Sequence, residues 1–388
     1  MTVKRVRLAQ RRKACGFTQE SFAEHLGVER STVGRWESTD TEPQPWLRPR
    51  MARALNLADQ DLQAMLDDVT VVPRQPSERM AFVLQNPTSA DLVAVASLHE
   101  QVRQLDESYD TASSTSLMGA AGQVHGQVKV LRQHAANARV RRALYEVEAD
   151  AAILMSQLVW DVSQRRDHQA PLRYLDEAVA AARHGRDTTT EAYAVLRKSF
   201  LALYGEKDPL RGGQLADQAA TIAQFTSPSL TGLALLHVAE AHAMAGRLTA
   251  CEAALKTADA QFHKVGEDDV AAPYYTVNEY NRLAGSCYLF LGLPARAEPI
   301  LRTTATALGA KKKSQAITLG NLTLALIRQG KLDEAVVTMH RTIDAVELTR
   351  GGGGLNVAFS AGRELRPWRH ESWAQELNDR LLALMAAI

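Results

Sequence analysis

The sequence predicts an all-α protein, and composition, length and the lack of strand patterns carry this prediction. Ala and Leu are abundant while aromatic residues make up only 6% of the chain, a bias that favours helix over sheet. No run of alternating β-branched residues is bounded by turn signals. The 388 residues are enough for one small and one large domain.

The stretch TQESFAEHLG, residues 18–27, predicts the first of two short helices near the start of the chain. Its apolar residues fall on one helix face at Phe22, Ala23 and Leu26. The Thr18 hydroxyl can accept a hydrogen bond from an early backbone N–H group and so cap the helix. Gly27 can adopt a positive φ and end it.

A second helix is predicted from Glu29 to Glu37, directly after that turn. Val33 and Trp36 are three residues apart and are expected to point inward. The residues left on the outer face are Arg30, Ser31, Gly34 and Arg35.

Charge is distributed unevenly along the chain. Residues 1–53 contain eleven Lys or Arg and six Asp or Glu, a net charge of +5. The whole chain carries a formal net charge of only +1, so the remainder is mildly acidic. This asymmetry indicates that the N-terminal segment alone meets a polyanion.

This segment resembles the helix-turn-helix of the Cro/phage-repressor-like (XRE) family over about residues 2–70. The residues that match in the family's spacing are Leu8, Arg12, Gly16, Thr18, Gln19, Ala23, Leu26, Gly27, Val28, Thr32, Val33, Trp36 and Glu37. The resemblance implies that the second helix lies in the major groove of a double-stranded DNA operator. The DNA-binding residues expected on this basis are Gln19, Glu29, Arg30, Ser31, Thr32, Gly34, Arg35 and Arg48.

The residue types suit these roles. Arg30 and Arg35 carry forked donors that fit guanine or a phosphate. Gly34 weakens the helix but permits close approach to the DNA backbone. Arg12 and Glu37 match a pair that the family uses as an intradomain ion pair. Further phosphate-contact candidates are Arg5, Arg7, Arg11, Arg48 and Arg50.

A linker is predicted over residues 71–88, between a DNA-binding domain at 1–70 and a helical domain at 89–388. Pro73, Pro76 and Pro87 interrupt helix there and leave room for one short helix between them. Thr88 or Ser89 is the expected cap of the first helix that follows.

The helical domain repeats one plan, in which an apolar helix ends at a glycine and an Ala-rich helix follows. The glycines are Gly205, Gly246, Gly292 and Gly330, spaced 38 to 46 residues apart. The small residues after the turns, expected to let paired helices approach closely, are Ala253, Ala297 and Ala335. This pattern resembles tetratricopeptide (TPR) repeats over about residues 150–350, which implies a TPR-like α-solenoid.

The run TRGGGGLN, residues 349–356, interrupts the repeats. A phosphate-binding loop would need Lys followed by Ser or Thr after the last glycine, and Leu355 and Asn356 stand there instead. We therefore expect a flexible hinge, followed by a C-terminal helix that caps the solenoid or pairs with another subunit.

No catalytic motif, paired-cysteine motif or metal-ligand spacing is recognisable, so we expect neither an enzyme nor a cofactor or metal. Three widely separated cysteines fit a reducing cytoplasm. No apolar run is long enough to span a membrane. We expect a cytoplasmic protein that joins the nucleoid when it binds DNA.

Candidate effector-binding residues are polar or aromatic and lie on the first helix of each predicted pair, which usually lines the inner surface of such a solenoid. They are Tyr193, Arg197, His237, Glu240, Asn278, Arg282 and Asn321. Arg197 and Asn321 are the leading candidates, since an Asn amide can bind an extended peptide backbone through its donor and its acceptor.

The whole pattern resembles peptide-sensing transcriptional regulators of Gram-positive bacteria, and the Ala and Arg usage would suit an actinobacterial source. The resemblance implies a homodimer that binds an operator and senses a signalling peptide or small-molecule effector. The alternative is a TPR adaptor that recruits a protein partner to DNA.

Overall fold

The computed structural model describes residues 2–38, 41–67, 70–72, 76–309 and 311–386. The chain divides into two compact units. The first unit comprises Met1–Ser97 and Gln133–Val140, and the second comprises Leu98–Arg132 and Arg141–Ile388. The domain boundaries at residues 70 and 88 remain predictions, and Pro73 of the predicted linker lies outside the described residues.

The first unit opens with a domain of short helices, which we call the head (residues 2–72). Its elements are β1 (Thr2–Lys4), α1 (Val6–Ala14), α2 (Gln19–Leu26), α3 (Arg30–Glu37), a 3-10 turn (Pro45–Leu47), α4 (Arg48–Ala54), α5 (Asp59–Asp67) and β2 (Thr70–Val72). After the head, the chain continues with α6 (Pro76–Gln85) and a second 3-10 turn (Pro87–Ser89). Strands β1 and β2 pair antiparallel, with Val3 opposite Val71. The sequence did not predict this ribbon because three-residue strands are too short to show alternation.

Long helices make up most of residues 92–386, which we call the body. They are α7 (Leu92–Ser108), α8 (Ser114–His134), α9 (Ala138–Val162), α10 (Gln169–Gly185), α11 (Thr188–Phe200), α12 (Pro209–Ala223), α13 (Pro228–Met244), α14 (Leu248–Asp259), α15 (Val277–Phe290), α16 (Pro294–Ala307), α17 (Lys312–Ile327), α18 (Leu332–Thr349), α19 (Gly352–Glu364) and α20 (Ser372–Ala386). A π-helical turn (Leu201–Glu206) continues α11, and 3-10 turns lie at Phe262–Lys264, Ala272–Tyr274 and Arg366–Trp368.

Asp91 caps α7, where Thr88 or Ser89 was expected. The Asp91 carboxylate accepts a hydrogen bond from the backbone N–H of Ala94 at 3.0 Å. A carboxylate is favoured at this position because the N-terminal end of a helix carries partial positive charge. Thr88 and Ser89 instead accept hydrogen bonds from the Gln10 amide, at 3.2 and 3.1 Å.

Consecutive helices from α10 to α19 pack against each other in order, and the alternate helices α11, α13, α15, α17 and α19 also pack against one another. We call these five the first-helix row. A row in which each helix contacts the first helix of the neighbouring pair is the arrangement of stacked helical repeats. The predicted all-α fold, a helix-turn-helix head followed by a repeat body, is therefore confirmed.

The turn glycines follow the predicted plan at three of four positions. Gly246, Gly292 and Gly330 have φ values of 73°, 71° and 72°, the left-handed conformation that ends a helix. The prediction that a helix ends at Gly205 is wrong, because Gly205 lies inside the π-helical turn. Lys207, with φ of 59°, ends that helix instead. A Cβ at Gly205 would lie 2.7 Å from Nε2 of His168, so its small size serves packing.

The small residues behind the turns are fully buried at Ala297 and Ala335, as predicted. Ala253 was assigned wrongly, because it is exposed. The equivalent position, five residues after Gly246, is Cys251, which is fully buried. A cysteine thiol is small and weakly polar, so it fills the place of alanine.

The glycine run is the start of a packed helix, so the expected hinge is wrong. Helix α19 begins at Gly352, and Gly352, Gly353 and Gly354 are buried. A Cβ on Gly354 would lie 2.9 Å from Cβ of Ala316 in α17, closer than such atoms approach in proteins. The missing side chains therefore allow α19 to lie close to α17.

A buried polar cluster (Tyr109, Ser114, Asp161, Arg165 and Lys313) joins residues that are far apart in sequence. The Asp161 carboxylate accepts hydrogen bonds from the Tyr109 hydroxyl at 2.8 Å and the Ser114 hydroxyl at 3.1 Å. The Lys313 ammonium donates to Ser114 Oγ at 2.8 Å and lies 3.5 Å from Asp161. Burial opposes the charge of Asp161, but Arg165 and Lys313 outweigh it and hold the pKa of Asp161 below its usual range.

This cluster connects α8 and α9 with α17, so the early helices of the body contact a late repeat. The two oppositely charged side chains of the cluster are buried, with exposures of 1% for Asp161 and 7% for Lys313. No helix in the described part of the chain combines the length and apolar character needed to cross a bilayer.

Candidate nucleic-acid interface and effector site

The core of the head fixes the position of α3. Phe22, Ala23 and Leu26 of α2 are buried with Val33 and Trp36 of α3, as the sequence predicts. The remaining buried apolar residues of this core are Leu8, Leu47, Met51, Ala52, Leu55, Leu62 and Leu66. Helix α3 therefore has one face anchored in the core and one face left for other contacts.

Local chemistry sets both ends of α2. The Thr18 hydroxyl accepts from the Ser21 backbone N–H at 3.0 Å, and the Ser21 hydroxyl accepts from the Thr18 N–H at 2.9 Å. Gly27, with φ of 73°, ends α2. Both roles were predicted: Thr18 determines where α2 begins, and Gly27 determines where it ends and the chain turns towards α3.

The outer face of α3 presents Arg30, Ser31 and Arg35, all exposed, with Thr32 half-buried beside them. The Arg35 guanidinium lies 3.4 Å from the Thr32 hydroxyl. Glu29 precedes the helix in an extended conformation, and its carboxylate accepts from the Ser31 hydroxyl at 3.1 Å. The face thus carries two cations and several hydrogen-bonding groups that can be rearranged by a ligand.

Glu37 links three elements of the head. It accepts from Nε of Arg12 at 2.7 Å, from Nη2 of Arg12 at 3.2 Å, and from the Gln19 side-chain amide at 2.7 Å. Arg12 is buried, so the predicted intradomain ion pair is confirmed. Gln19 stands at the first position of α2, and its contact with DNA remains a prediction.

Two of the further arginines are held within the head. Arg5 is only 4% exposed and donates to the backbone carbonyls of Leu66 at 2.6 Å and Trp36 at 2.9 Å, so its assignment as a phosphate contact is wrong. Arg11 is partly buried and donates to the Leu55 carbonyl at 2.8 Å. Sequence cannot separate such arginines from surface ones, because both occur in the same short basic segment.

Arg48, which was also predicted to contact DNA, is partly exposed and forms hydrogen bonds within the head. Its side chain donates to the Pro43 carbonyl, to Gln63 at 2.7 Å and to Glu42 at 3.1 Å. A role in DNA binding would require exchange of the Glu42 contact for a phosphate and remains a prediction.

All seven predicted effector residues lie on the first-helix row. Tyr193 and Arg197 are on α11, His237 and Glu240 on α13, Asn278 and Arg282 on α15, and Asn321 on α17. The structure therefore places them on neighbouring helices of one layer, as the prediction requires.

An aromatic and charged group surrounds Tyr193 and Arg197. The Tyr193 ring stacks on the Tyr274 ring with centroids 5.2 Å apart, and the Arg197 guanidinium lies 4.8 Å from the centre of the Phe200 ring. The Tyr274 hydroxyl is 3.4 Å from the Asp106 carboxylate. Burial, together with neighbouring acidic groups, raises the pKa of Asp106 although Arg197 opposes this.

Tyr274 and Asp106 were not among the effector residues predicted from the sequence. Tyr274 lies in the irregular segment between α14 and α15, and Asp106 lies in α7 before the recognisable repeats. Neither position is fixed by the repeat pattern, so only the fold brings them to Tyr193. An exposed tyrosine in a long connection between two helices was the one available signal.

The remaining predicted effector residues differ in how they are bonded. His237 is 2% exposed, with Nδ1 2.8 Å from the Glu240 carboxylate, and Asn321 is 7% exposed and donates to Ser286 Oγ at 2.9 Å. Arg282 pairs with Glu279 and is partly exposed. Burial raises the pKa of Glu279, but the positive charge of Arg282 outweighs this effect and keeps that pKa below its usual range.

Comparison with known proteins assigns the class of the head. Residues 5–65 match the family model of the helix-turn-helix domain, so the N-terminal domain of this chain is a helix-turn-helix domain. No curated protein has a sequence that matches the chain.

Two solved structures are similar in backbone. One is PlcR of Bacillus thuringiensis in complex with the peptide PapR7 and DNA, which is 13% identical with a TM-score of 0.39 and covers 79% of this chain and 94% of that chain. The other is a Rap protein complexed with competence and sporulation factor, which is 12% identical with a TM-score of 0.45 and covers 76% of this chain and 98% of that chain.

Proposed function

We propose that this protein is a transcriptional regulator that binds double-stranded DNA sequence-specifically through α3. The observation that carries the proposal is the division of α3 into a buried face, with Val33 and Trp36, and an exposed face, with Arg30, Ser31 and Arg35. A helix of this kind in a helix-turn-helix domain enters the major groove, where arginine forks read guanine edges.

Binding to duplexes at increasing salt tests this function directly. Purified full-length protein is titrated against a pool of random-sequence duplexes by fluorescence anisotropy. We expect measurable affinity at low salt that falls steeply as salt rises, because the cations of the head displace counterions from the phosphates. No binding at low salt would contradict the proposal.

Gly34 offers a test of how closely α3 approaches DNA. A Cβ at this position would meet no atom of the head within 4 Å. We expect Gly34→Ala to raise the free energy of unfolding by up to about 1 kcal/mol, since alanine favours helix. We also expect it to lower DNA affinity, because the added methyl group keeps the helix from the DNA backbone. A more stable variant with unchanged DNA affinity would contradict the close approach.

We further propose that the protein acts as a homodimer. Helix-turn-helix proteins read two half-sites about one helical turn apart, which requires two heads related by a two-fold axis. Sedimentation equilibrium of the full chain, alone and with duplex DNA, tests this. A protein that is monomeric in both conditions would exclude the dimer.

The first-helix row is the proposed effector site, and a short peptide or a small molecule is the proposed effector. Tyr193, Arg197, Asn278 and Arg282 are the partly exposed candidates, whereas His237 and Asn321 are almost fully buried and bonded within the protein. An effector that binds one packing of the helices better than another would shift the population of DNA-binding states.

A thermal-shift screen with synthetic short peptides and small metabolites tests the effector site. We expect a ligand to raise the melting temperature of the wild-type protein by mass action. The same ligand should give little shift with Arg197→Ala, while exposed Arg341→Ala on α18 serves as the control. A response only to a macromolecular partner would favour the adaptor alternative.

A further inference from the structure

We propose that the turn between α8 and α9, together with α1 and α6, forms a second DNA-contacting surface that binds the sugar–phosphate backbone outside the helix-turn-helix motif. This inference rests on the proposed DNA-binding function. It assigns a role to Asn137, which lies 72 positions beyond the end of the segment matched by the helix-turn-helix family.

The surface is one side of a large cleft within the first unit. The cleft has a volume of about 1170 Å³, and Gln19, Arg30 and Gly34 of the proposed DNA-reading surface line it. Arg79 and Phe82 of α6 line the same cleft, as does Asn137 of the turn between α8 and α9. The cleft is thus continuous with the surface of α3, and its volume exceeds what a small ligand needs.

The charge of the cleft suits a polyanion. Its lining contains five basic residues, Arg5, Arg12, Lys13, Arg30 and Arg79, and three acidic residues, Glu20, Glu37 and Asp91. Arg5, Arg12 and Arg79 are paired with carboxylates. Lys13 and Arg30 are exposed, and within the described ranges no carboxylate lies at ion-pair distance from either of them. These two cations are therefore the ones available to phosphates.

Asn137 adds a neutral donor. Its Oδ1 accepts from the backbone N–H groups of Arg139 at 2.8 Å and Val140 at 3.4 Å, and so caps α9. Because Oδ1 faces the helix end, the amide nitrogen of the same group faces away from it. Asn137 is exposed, so this nitrogen can donate to a phosphate oxygen, as asparagine side chains do in protein–DNA complexes.

Because Asn137 caps α9, the variant Asn137→Asp separates an effect on stability from an effect on DNA binding. Asn137→Asp keeps the oxygen that caps α9, and aspartate is an equally good cap, so the melting temperature should not fall. The new negative charge repels phosphate, and DNA affinity should drop about three- to tenfold at moderate salt.

Lys13→Gln tests the charge itself. Loss of one phosphate contact should lower the slope of log affinity against log salt by about 0.9. Arg341→Gln, on exposed Arg341 of α18, removes one charge elsewhere and should leave affinity and slope unchanged.

The measurement is an anisotropy titration of the full-length variants against one operator duplex at several salt concentrations. If Arg35→Ala binds at least tenfold more weakly than wild-type protein, but Asn137→Asp and Lys13→Gln bind like wild type, the second surface is excluded. Tighter binding by Asn137→Asp would also overturn it. If wild-type protein binds no duplex at all, the proposed function fails first.

Discussion

Replacing Arg35 with alanine is expected to weaken sequence-specific DNA binding strongly while the head stays folded. Arg35 is exposed on the outer face of α3, and the side-chain hydroxyl of Thr32 lies 3.4 Å from its guanidinium. Alanine favours helix, so the stability of the domain should change little. A bidentate contact between arginine and guanine contributes about 1–3 kcal/mol of discrimination, so specific affinity should fall about ten- to a hundredfold.

Two matched variants show which property of Arg35 is needed. Arg35→Lys keeps the charge but loses the planar fork, so it should keep non-specific affinity and lose specificity. Arg53→Ala changes an exposed arginine of α4 in the same domain and should bind like wild type. Unchanged operator affinity of Arg35→Ala would remove this residue from the interface.

Replacing Lys313 with methionine is expected to destabilise the body by about 3 kcal/mol. The change removes a buried cation that donates to Ser114 Oγ at 2.8 Å and lies 3.5 Å from the buried Asp161 carboxylate. Arg165 remains beside Asp161, so the loss should lie near the low end of the range of about 3–5 kcal/mol for breaking a buried ion pair. Urea denaturation followed by circular dichroism measures the loss.

The neighbouring lysine supplies the control. Lys312→Met changes the same residue type one position earlier, where the side chain is partly exposed, and should cost little. Adding Asp161→Asn to Lys313→Met removes the buried carboxylate that has lost one of its two cations, and should recover part of the stability. Equal stability of the Lys313 and Lys312 variants would show that the buried polar cluster does not hold α8 and α9 to α17.

The head could be predicted closely because its determinants are local. Thr18, Ser21 and Gly27 define the ends of α2 within a few residues, and apolar spacing places Val33 and Trp36 inward. What sequence could not show is which arginines face water. Arg5 reaches carbonyl groups more than thirty residues away, and no local pattern records that distance.

The repeated helix pairs of the body could be predicted from the sequence, but its long-range contacts could not. Repeat spacing identifies the first helices, and the candidate effector residues do lie on one row. The glycine run was mistaken for a hinge because glycine signals both flexibility and close packing. Only the position of Ala316 on α17 shows that Gly354 allows close helix packing and is not part of a hinge. The pairing of Lys313 with Asp161, 152 residues apart, likewise depends on how the repeats stack.

Selection of bound duplexes from a random-sequence pool, using the purified full-length protein at moderate salt, tests the central claim most directly. We expect enrichment of one motif with two related half-sites whose centres are about 10 base pairs apart. Arg35→Ala, carried through the same selection, should lose that motif. Recovery of no enriched sequence by the wild-type protein would contradict the assignment of α3 as a DNA-reading helix.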